Sequence, residues 1–124
     1  AAGVDQLRAL TAPHGYSVVG VPVHGGLHLK SAVTSAGQDV LLVNPAWIPL
    51  DRFQAFEVMD IDPGEPYAAN ALRVGDSLIY PEAFPRTRER LERRGVRVCT
   101  VDVGELQKAE GAVTCCSLIF DARG

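Results

Sequence analysis

Long apolar runs are missing from this 124-residue chain. No stretch approaches the ~18 consecutive apolar residues of a membrane-crossing helix, so such a span is ruled out. Positive charge is in short supply: twelve Lys+Arg face fifteen Asp+Glu, a net charge of −3. A protein whose main task is neutralising nucleic-acid phosphates leans the other way. Aromatic residues make up only 6%, which supplies base-stacking platforms poorly. Cysteine is scarce, with Cys99, Cys115 and Cys116 the three present. Their odd number and the adjacent pair exclude a disulfide scaffold, because neighbouring cysteines close only a strained ring. No C-x-x-C spacing offers a metal site. Three free thiols fit a reducing compartment, and a cytoplasmic protein is expected. Residues 1–10 hold Asp5 and Arg8 and lack a long apolar core, so no secretory leader is read there. The chain also starts without Met, which fits processing or a start part-way through a longer protein.

What is there is globular. The apolar fraction is 47% and the charged fraction 22%, near the average for folded domains and far from a disordered composition. Val4, Leu7 and Leu10 share one face, predicting a helix over 4–12 that stops at Pro13 and Gly15. Ser17–Val23 reads as a buried strand and Leu27–Val33 as a second strand leaving the Gly25-Gly26 turn. Ala36-Gly37-Gln38-Asp39 is hairpin chemistry, with Val40–Val43 returning and Asn44-Pro45 ending the strand. Pro45–Asp51 reads as a loose helical turn, Phe56–Met59 as a strand and Asp60–Pro66 as a loop. Ala71–Val74 and Ser77–Tyr80 pair about Gly75-Asp76. A helix then runs between Pro85, suited to a first turn, and Gly95, suited to a C-terminal cap. Val96–Val101 follows as a strand, and Asp102 with Glu105 forms a capping-box-like pair opening a short helix. Val113–Phe120 reads as a final strand.

The order strand, hairpin turn, strand, helix, strand thus occurs twice, with matching points about forty residues apart. The class is α/β, built from repeated units. The opening helix and strand look like the tail of an earlier unit.

Two residues stand out chemically. Thr114-Cys115-Cys116-Ser117 opens an apolar run; a thiolate stabilised by a positive neighbour is a good nucleophile, whereas a thiol on an apolar strand is ordinarily core filling. Strand alternation would put Cys115 and Cys116 on opposite faces. His28 follows Gly25-Gly26-Leu27 and so lacks steric cover on one side, which suits a proton shuttle, although taken alone it reads better as a hydrogen-bonded structural histidine. His14 reads as surface, and His24 as pointing away from His28 if the backbone is extended. Arg86, Arg88, Arg90, Arg93, Arg94 and Arg97 are interleaved with Glu82, Glu89 and Glu92, which predicts an ion-paired solvated helix face rather than a nucleic-acid surface. Asp60, Asp62 and Glu65 crowd one loop, and its prolines argue for a structural role over a cation cage.

Gly26-Leu27-His28-Leu29-Lys30-Ser31, together with Lys108-Ala109-Glu110-Gly111-Ala112-Val113-Thr114-Cys115-Cys116-Ser117, resembles the dimethylarginine dimethylaminohydrolase family of the guanidine-modifying, pentein superfamily. Ala68-Ala69-Asn70 and the hairpin after it look like that family's middle segment, so the likeness runs from about Val4 to Phe120. The resemblance implies an α/β propeller, a ring of five ββαβ units. Residues 1–124 would be a single region, the C-terminal half of that ring, with the first unit truncated. It also implies that His28 is the catalytic histidine, that Cys115 is the nucleophile with Cys116 as its structural neighbour, and that the backbone carbonyl of Ala109 holds the substrate's amino-acid end. The acids that hold the guanidinium, the carboxylate that orients the histidine and the arginines that take the substrate carboxylate would lie in the other half. The implied activity is hydrolysis of N-methylated arginine to citrulline and dimethylamine through a covalent thiouronium on cysteine. No cofactor and no working metal are expected, although zinc between Cys115 and His28 would be a plausible inhibitor. The expected partners are methylated arginine and the N-terminal half, with no nucleic acid and no membrane, and the isolated chain should be inactive. Arginine or agmatine deimination and amidino transfer share the same Cys/His logic. A non-catalytic thiol-containing interaction domain is the reading from another class.

Overall fold

Short apolar runs separated by turn residues fold into two copies of one unit. The computed structural model describes residues 2–37 and 39–120. In the first copy β1 (Val33–Ser35) and β2 (Val40–Val43) are antiparallel with Val33 opposite Val43, and β3 (Glu57–Asp60) runs parallel to β2. The β1–β2 turn carries Asp39 at φ 57, a left-handed angle that a short polar side chain tolerates; Gln38 of the expected turn lies outside the described residues. In the second copy β4 (Leu72–Val74) and β5 (Ser77–Pro81) are antiparallel about Gly75-Asp76, and β6 (Arg97–Val101) runs parallel to β5. The sheets have the orders β1-β2-β3 and β4-β5-β6, so the twofold repeat is real. The crossover differs between copies. It is a 3-10 turn at Leu50–Phe53 in the first and a full helix, α2 (Pro85–Arg93), in the second. Because each first strand is antiparallel to the next two, the entry to β1 and β4 and the exits of the parallel strands share one end of each sheet.

The opening helix, α1 (Ala2–Thr11), ends where Pro13 and Gly15 stop it, with Gly15 at φ 78. Three expected strands are absent among the described residues. Ser17–Val23 is irregular, and the Val18 carbonyl accepts from the Arg8 guanidinium instead of a ladder neighbour. Residues 24–28 bend and Leu29–Ser31 coil into a 3-10 turn, leaving only the end of the Leu27–Val33 run in β1. Val113–Phe120 is a turn followed by irregular chain, with Leu118 93% and Phe120 81% exposed. An apolar run becomes a strand only where another strand supplies hydrogen bonds, and no described strand lies beside these segments. The capping box does not form: Val103, not Asp102, is the N-cap of the short helix, and no side chain at that position caps it. Asp102 Oδ1 accepts from Gly104 N–H at 2.8 Å, but Glu105 pairs with Lys108 at 2.6 Å instead of reaching back; the short helix is α3 (Gly104–Lys108).

The main core draws on both sheets: Leu42 and Met59 from the first meet Leu78 and Tyr80 from the second, with Leu91 of α2. Thr34, buried, stitches them together by donating to Ala69 O at 2.6 Å and accepting from Ala71 N–H at 3.0 Å. Tyr80 is fully buried and donates its hydroxyl to Ala68 O at 2.7 Å. Burial holds its phenol well above the ordinary range, against an opposing hydrogen bond from Thr87 and with the Glu65 charge adding to the rise.

The acidic loop is structural, as expected. Glu65, 9% exposed, caps α2 from outside: its carboxylate accepts from Arg86 N–H at 3.0 Å and Thr87 N–H at 2.8 Å. Asp62 pairs with Arg90 at 3.1 Å, and Arg93 with Glu89 at 2.6 Å; Arg94 pairs with Glu57. The basic run is the ion-paired helix face its charge pattern predicts. Such surface pairs contribute ~0–1 kcal/mol each, whereas Glu65 answers two otherwise orphaned helix N–H groups. Glu65→Ala is therefore expected to lower unfolding free energy by about 2–3 kcal/mol, and Glu65→Gln by less, as measured by urea denaturation. Equal losses for the two variants would refute the capping account.

Candidate functional site

The cleft at the strand ends has a volume of about 760 Å³ and draws on four separate stretches of chain. Gly25–His28 and Ser31 come from the entry to β1, Tyr67 and Asn70 from the entry to β4, Pro81 and Phe84 from the exit of β5, and Gln107 with Glu110–Ala112 from the segment after β6. The twofold repeat explains this convergence, since equivalent ends of both sheets open on one side.

The loop bearing His28 is shaped by two glycines. Gly25 has φ 76, and a Cβ there would lie 2.5 Å from Trp47 Nε1. At Gly26 the same ring stands 3.1 Å from a built Cβ. Both meanings of the glycine pair, turn and close approach, therefore apply. His24 N–H donates to Trp47 O at 2.8 Å, and Trp47 meets Tyr67 edge to face with ring centroids 5.1 Å apart. His28 itself is exposed and extended (φ −127, ψ 152), and its carbonyl accepts from Ser31 N–H at 3.0 Å, which starts the 3-10 turn.

Cys115 lies in a turn over residues 113–116, not on a strand. The expectation that Cys115 and Cys116 face opposite ways therefore fails: both are exposed and their sulfurs are 3.9 Å apart. Cys115 Sγ accepts from Ala112 N–H at 3.1 Å, which fastens it to a cleft-lining residue. Gly111 permits the tight path. A Cβ there would be 3.0 Å from Leu106 O and 3.2 Å from Cys116 Sγ. Ala109 caps α3, exposed, immediately before the lining residues Glu110–Ala112. Of the expected site residues His28 lines the cleft; Cys115 and Ala109 are not among its lining residues, Cys115 being tied to it through Ala112 and Ala109 lying one residue before Glu110. Among the described residues no group of three His, Cys, Asp or Glu side chains is arranged to hold a metal ion, and no helix is long and apolar enough to cross a membrane.

Two cleft-lining residues lie in the stretches that carry the family likeness, yet the sequence pattern gives neither a role of its own. Glu110 is the one carboxylate among the residues lining the cleft, and it sits at φ 60, a left-handed conformation that costs a non-glycine residue ~1–2 kcal/mol. Asn70 is 6% exposed; its Nδ2 donates to Lys30 O at 2.9 Å and Thr114 Oγ1 at 2.8 Å, and its Oδ1 accepts from Thr114 N–H at 3.2 Å. A buried polar residue after two alanines is a weak signal, and nothing local announces a backbone with positive φ at a glutamate.

No protein-family model matches the chain. A dimethylarginine dimethylaminohydrolase of Pseudomonas aeruginosa is 38% identical over 120 residues, which is 97% of this chain and 47% of that protein. One from Streptomyces coelicolor is 40% identical over 119 residues, 95% of this chain and 45% of that protein. A solved structure of the Pseudomonas aeruginosa enzyme, a cysteine-to-serine variant complexed with citrulline, matches with a TM-score of 0.81 at 35% identity, over 95% of this chain and 46% of that one. The chain therefore spans just under half the length of the curated relatives it matches. By sequence along nearly its whole length, and by its α/β pentein fold, the chain belongs to the dimethylarginine dimethylaminohydrolase family.

Proposed function

We propose that this chain is the C-terminal half of an enzyme that hydrolyses N-methylated arginine to citrulline and dimethylamine, with Cys115 as nucleophile and His28 as general acid and base. The observation that carries this reading is the cleft itself: His28 lines it, and the Ala112 N–H that also borders it holds the Cys115 sulfur at 3.1 Å. Ala109 precedes the lining residues, where its carbonyl would take the substrate's amino-acid end. The N-terminal half would complete the ring and supply the remaining acids and arginines. The exposed apolar run Leu118-Ile119-Phe120 supports a missing covering surface.

In this mechanism the Cys115 thiolate adds to the guanidinium carbon, forming a C–S bond and a tetrahedral adduct. The adduct collapses with cleavage of the C–N bond, and protonated His28 gives its proton to the departing dimethylamine. A thiouronium is left on the sulfur. Neutral His28 then takes a proton from water as hydroxide adds to the same carbon; the C–S bond breaks to regenerate the thiolate, and the added hydroxyl gives up its proton to solvent, which releases neutral citrulline. Positioned acid–base assistance of this kind is worth ~10²–10⁴-fold. The exposed free thiols Cys99, Cys115 and Cys116 fit a reducing compartment, so the reading includes a cytoplasmic enzyme.

The test is product analysis. The protein comprising both halves should release dimethylamine from dimethylarginine, and the 124-residue chain alone should show negligible turnover. Ammonia released preferentially from arginine would move the protein to the sister deiminase activity. Turnover by the isolated chain would overturn the requirement for a second half.

A further inference from the structure

We propose that Asn70 is a positioning residue whose buried carboxamide sets the separation between the His28 imidazole and the Cys115 sulfur. The inference rests on the reading above of those two groups as the reacting pair. One amide plane contacts two segments remote from each other in sequence. Toward the histidine, Nδ2 donates to the carbonyl of Lys30, within the 3-10 turn that begins just after His28. Toward the cysteine, Nδ2 and Oδ1 grip Thr114, the residue next to Cys115, by its hydroxyl and its backbone N–H. Among the described residues no hydrogen bond joins residues 24–31 directly to residues 109–117; Asn70 is the link between them. Its own place is firm, because Ala69 and Ala71 on either side are held by Thr34 and the residue is buried.

The chemistry of the side chain fits this task. Both amide protons and the carbonyl oxygen are used, in a fixed planar fork. Aspartate has the same shape and could still accept from Thr114 N–H and from the Thr114 hydroxyl, but it has no proton for Lys30 O, so the tie to the histidine segment is the one it loses. Shifting a nucleophile relative to its acid–base partner by ~1 Å costs about 10²-fold in rate. That is the scale of effect expected when the fork is broken.

The test uses the protein comprising both halves. Asn70→Asp and Asn70→Ala should lower kcat for dimethylarginine by at least ~10-fold while KM changes less than about threefold. Thr114→Val should lose part of the rate and Thr114→Ser should restore it. A second readout needs no turnover: alkylation of Cys115 by 2-chloroacetamidine should slow in Asn70→Asp relative to alkylation of Cys99, which sits on β6 away from the cleft. Unchanged kcat together with an unchanged Cys115:Cys99 alkylation ratio would overturn the inference. So would a fall in kcat accompanied by an equal rise in KM and a lower melting temperature that Thr114→Ser shares, since that marks a merely structural residue. If the unsubstituted protein releases no dimethylamine, or Cys115→Ser retains activity, the proposed function fails instead; the alkylation ratio still reports whether Asn70 places the sulfur.

Discussion

Cys115→Ser, in the protein comprising both halves, is expected to cut kcat for dimethylarginine hydrolysis by at least ~10³-fold, because a serine hydroxyl does not ionise near neutral pH and has no adjacent strong base in this turn. The change is nearly isosteric, one sulfur replaced by an oxygen, so it opens no sizeable cavity. Stability should therefore stay within about 0.5 kcal/mol, the usual range for surface substitutions. That separation matters: loss of rate with no loss of fold assigns the sulfur to chemistry. Cys99→Ser is the control, since that thiol is exposed on β6 and should leave the rate within about twofold. Retention of a tenth or more of the activity by Cys115→Ser would sink the nucleophile assignment. A comparable loss on Cys99→Ser would point to general thiol damage. The measurement is steady-state release of dimethylamine, with circular dichroism to check the fold.

Leu91→Ala should be the largest single destabilisation, about 2–5 kcal/mol. Helix α2 is dominated by arginine and glutamate and buries only Thr87 and Leu91. Leu91 is fully buried, joins the core cluster of Leu78 and Tyr80, and offers its carbonyl to Val96 N–H and Arg94 N–H at 3.1 Å as the chain leaves the helix. The ion pairs on the outer face cannot replace it, being worth ~0–1 kcal/mol each. Truncation leaves a cavity beneath a helix with no other apolar side chain in its buried set. In the 124-residue chain by itself, Leu118→Ala removes the same atoms from a side chain that is 93% exposed and should cost less than about 0.5 kcal/mol. Urea denaturation of both variants checks the contrast. Similar midpoints would show that α2 is not anchored through Leu91.

The same leucine comparison shows how far pattern reaches. In the sequence Leu91 is a lone apolar residue in a charged helix, and Leu118 belongs to an apolar run that looks like core. The structure reverses their importance. Burial depends on what packs against a residue, and that information lies elsewhere in the chain. The run Val113–Phe120 had strand composition but no described strand beside it, so Cys115 and Cys116 occupy a turn and share an exposed side.

The sequence by itself determined the features set by local sterics. Gly75 and Gly95 adopt left-handed angles open to glycine, Pro85 pre-sets a helical first turn, and short β-branched runs between them become paired strands. Those choices repeat, so the doubled ββαβ order was legible before any coordinates. It also determined the likeness carried by the His28 and Cys115 segments. Only the tertiary structure decided that both segments border one cleft, that Glu65 caps a helix distant in sequence and that Asn70 ties the two segments together. Hydrogen bonds across forty or more residues leave no periodicity in the chain, because they arise from how whole sheets stack.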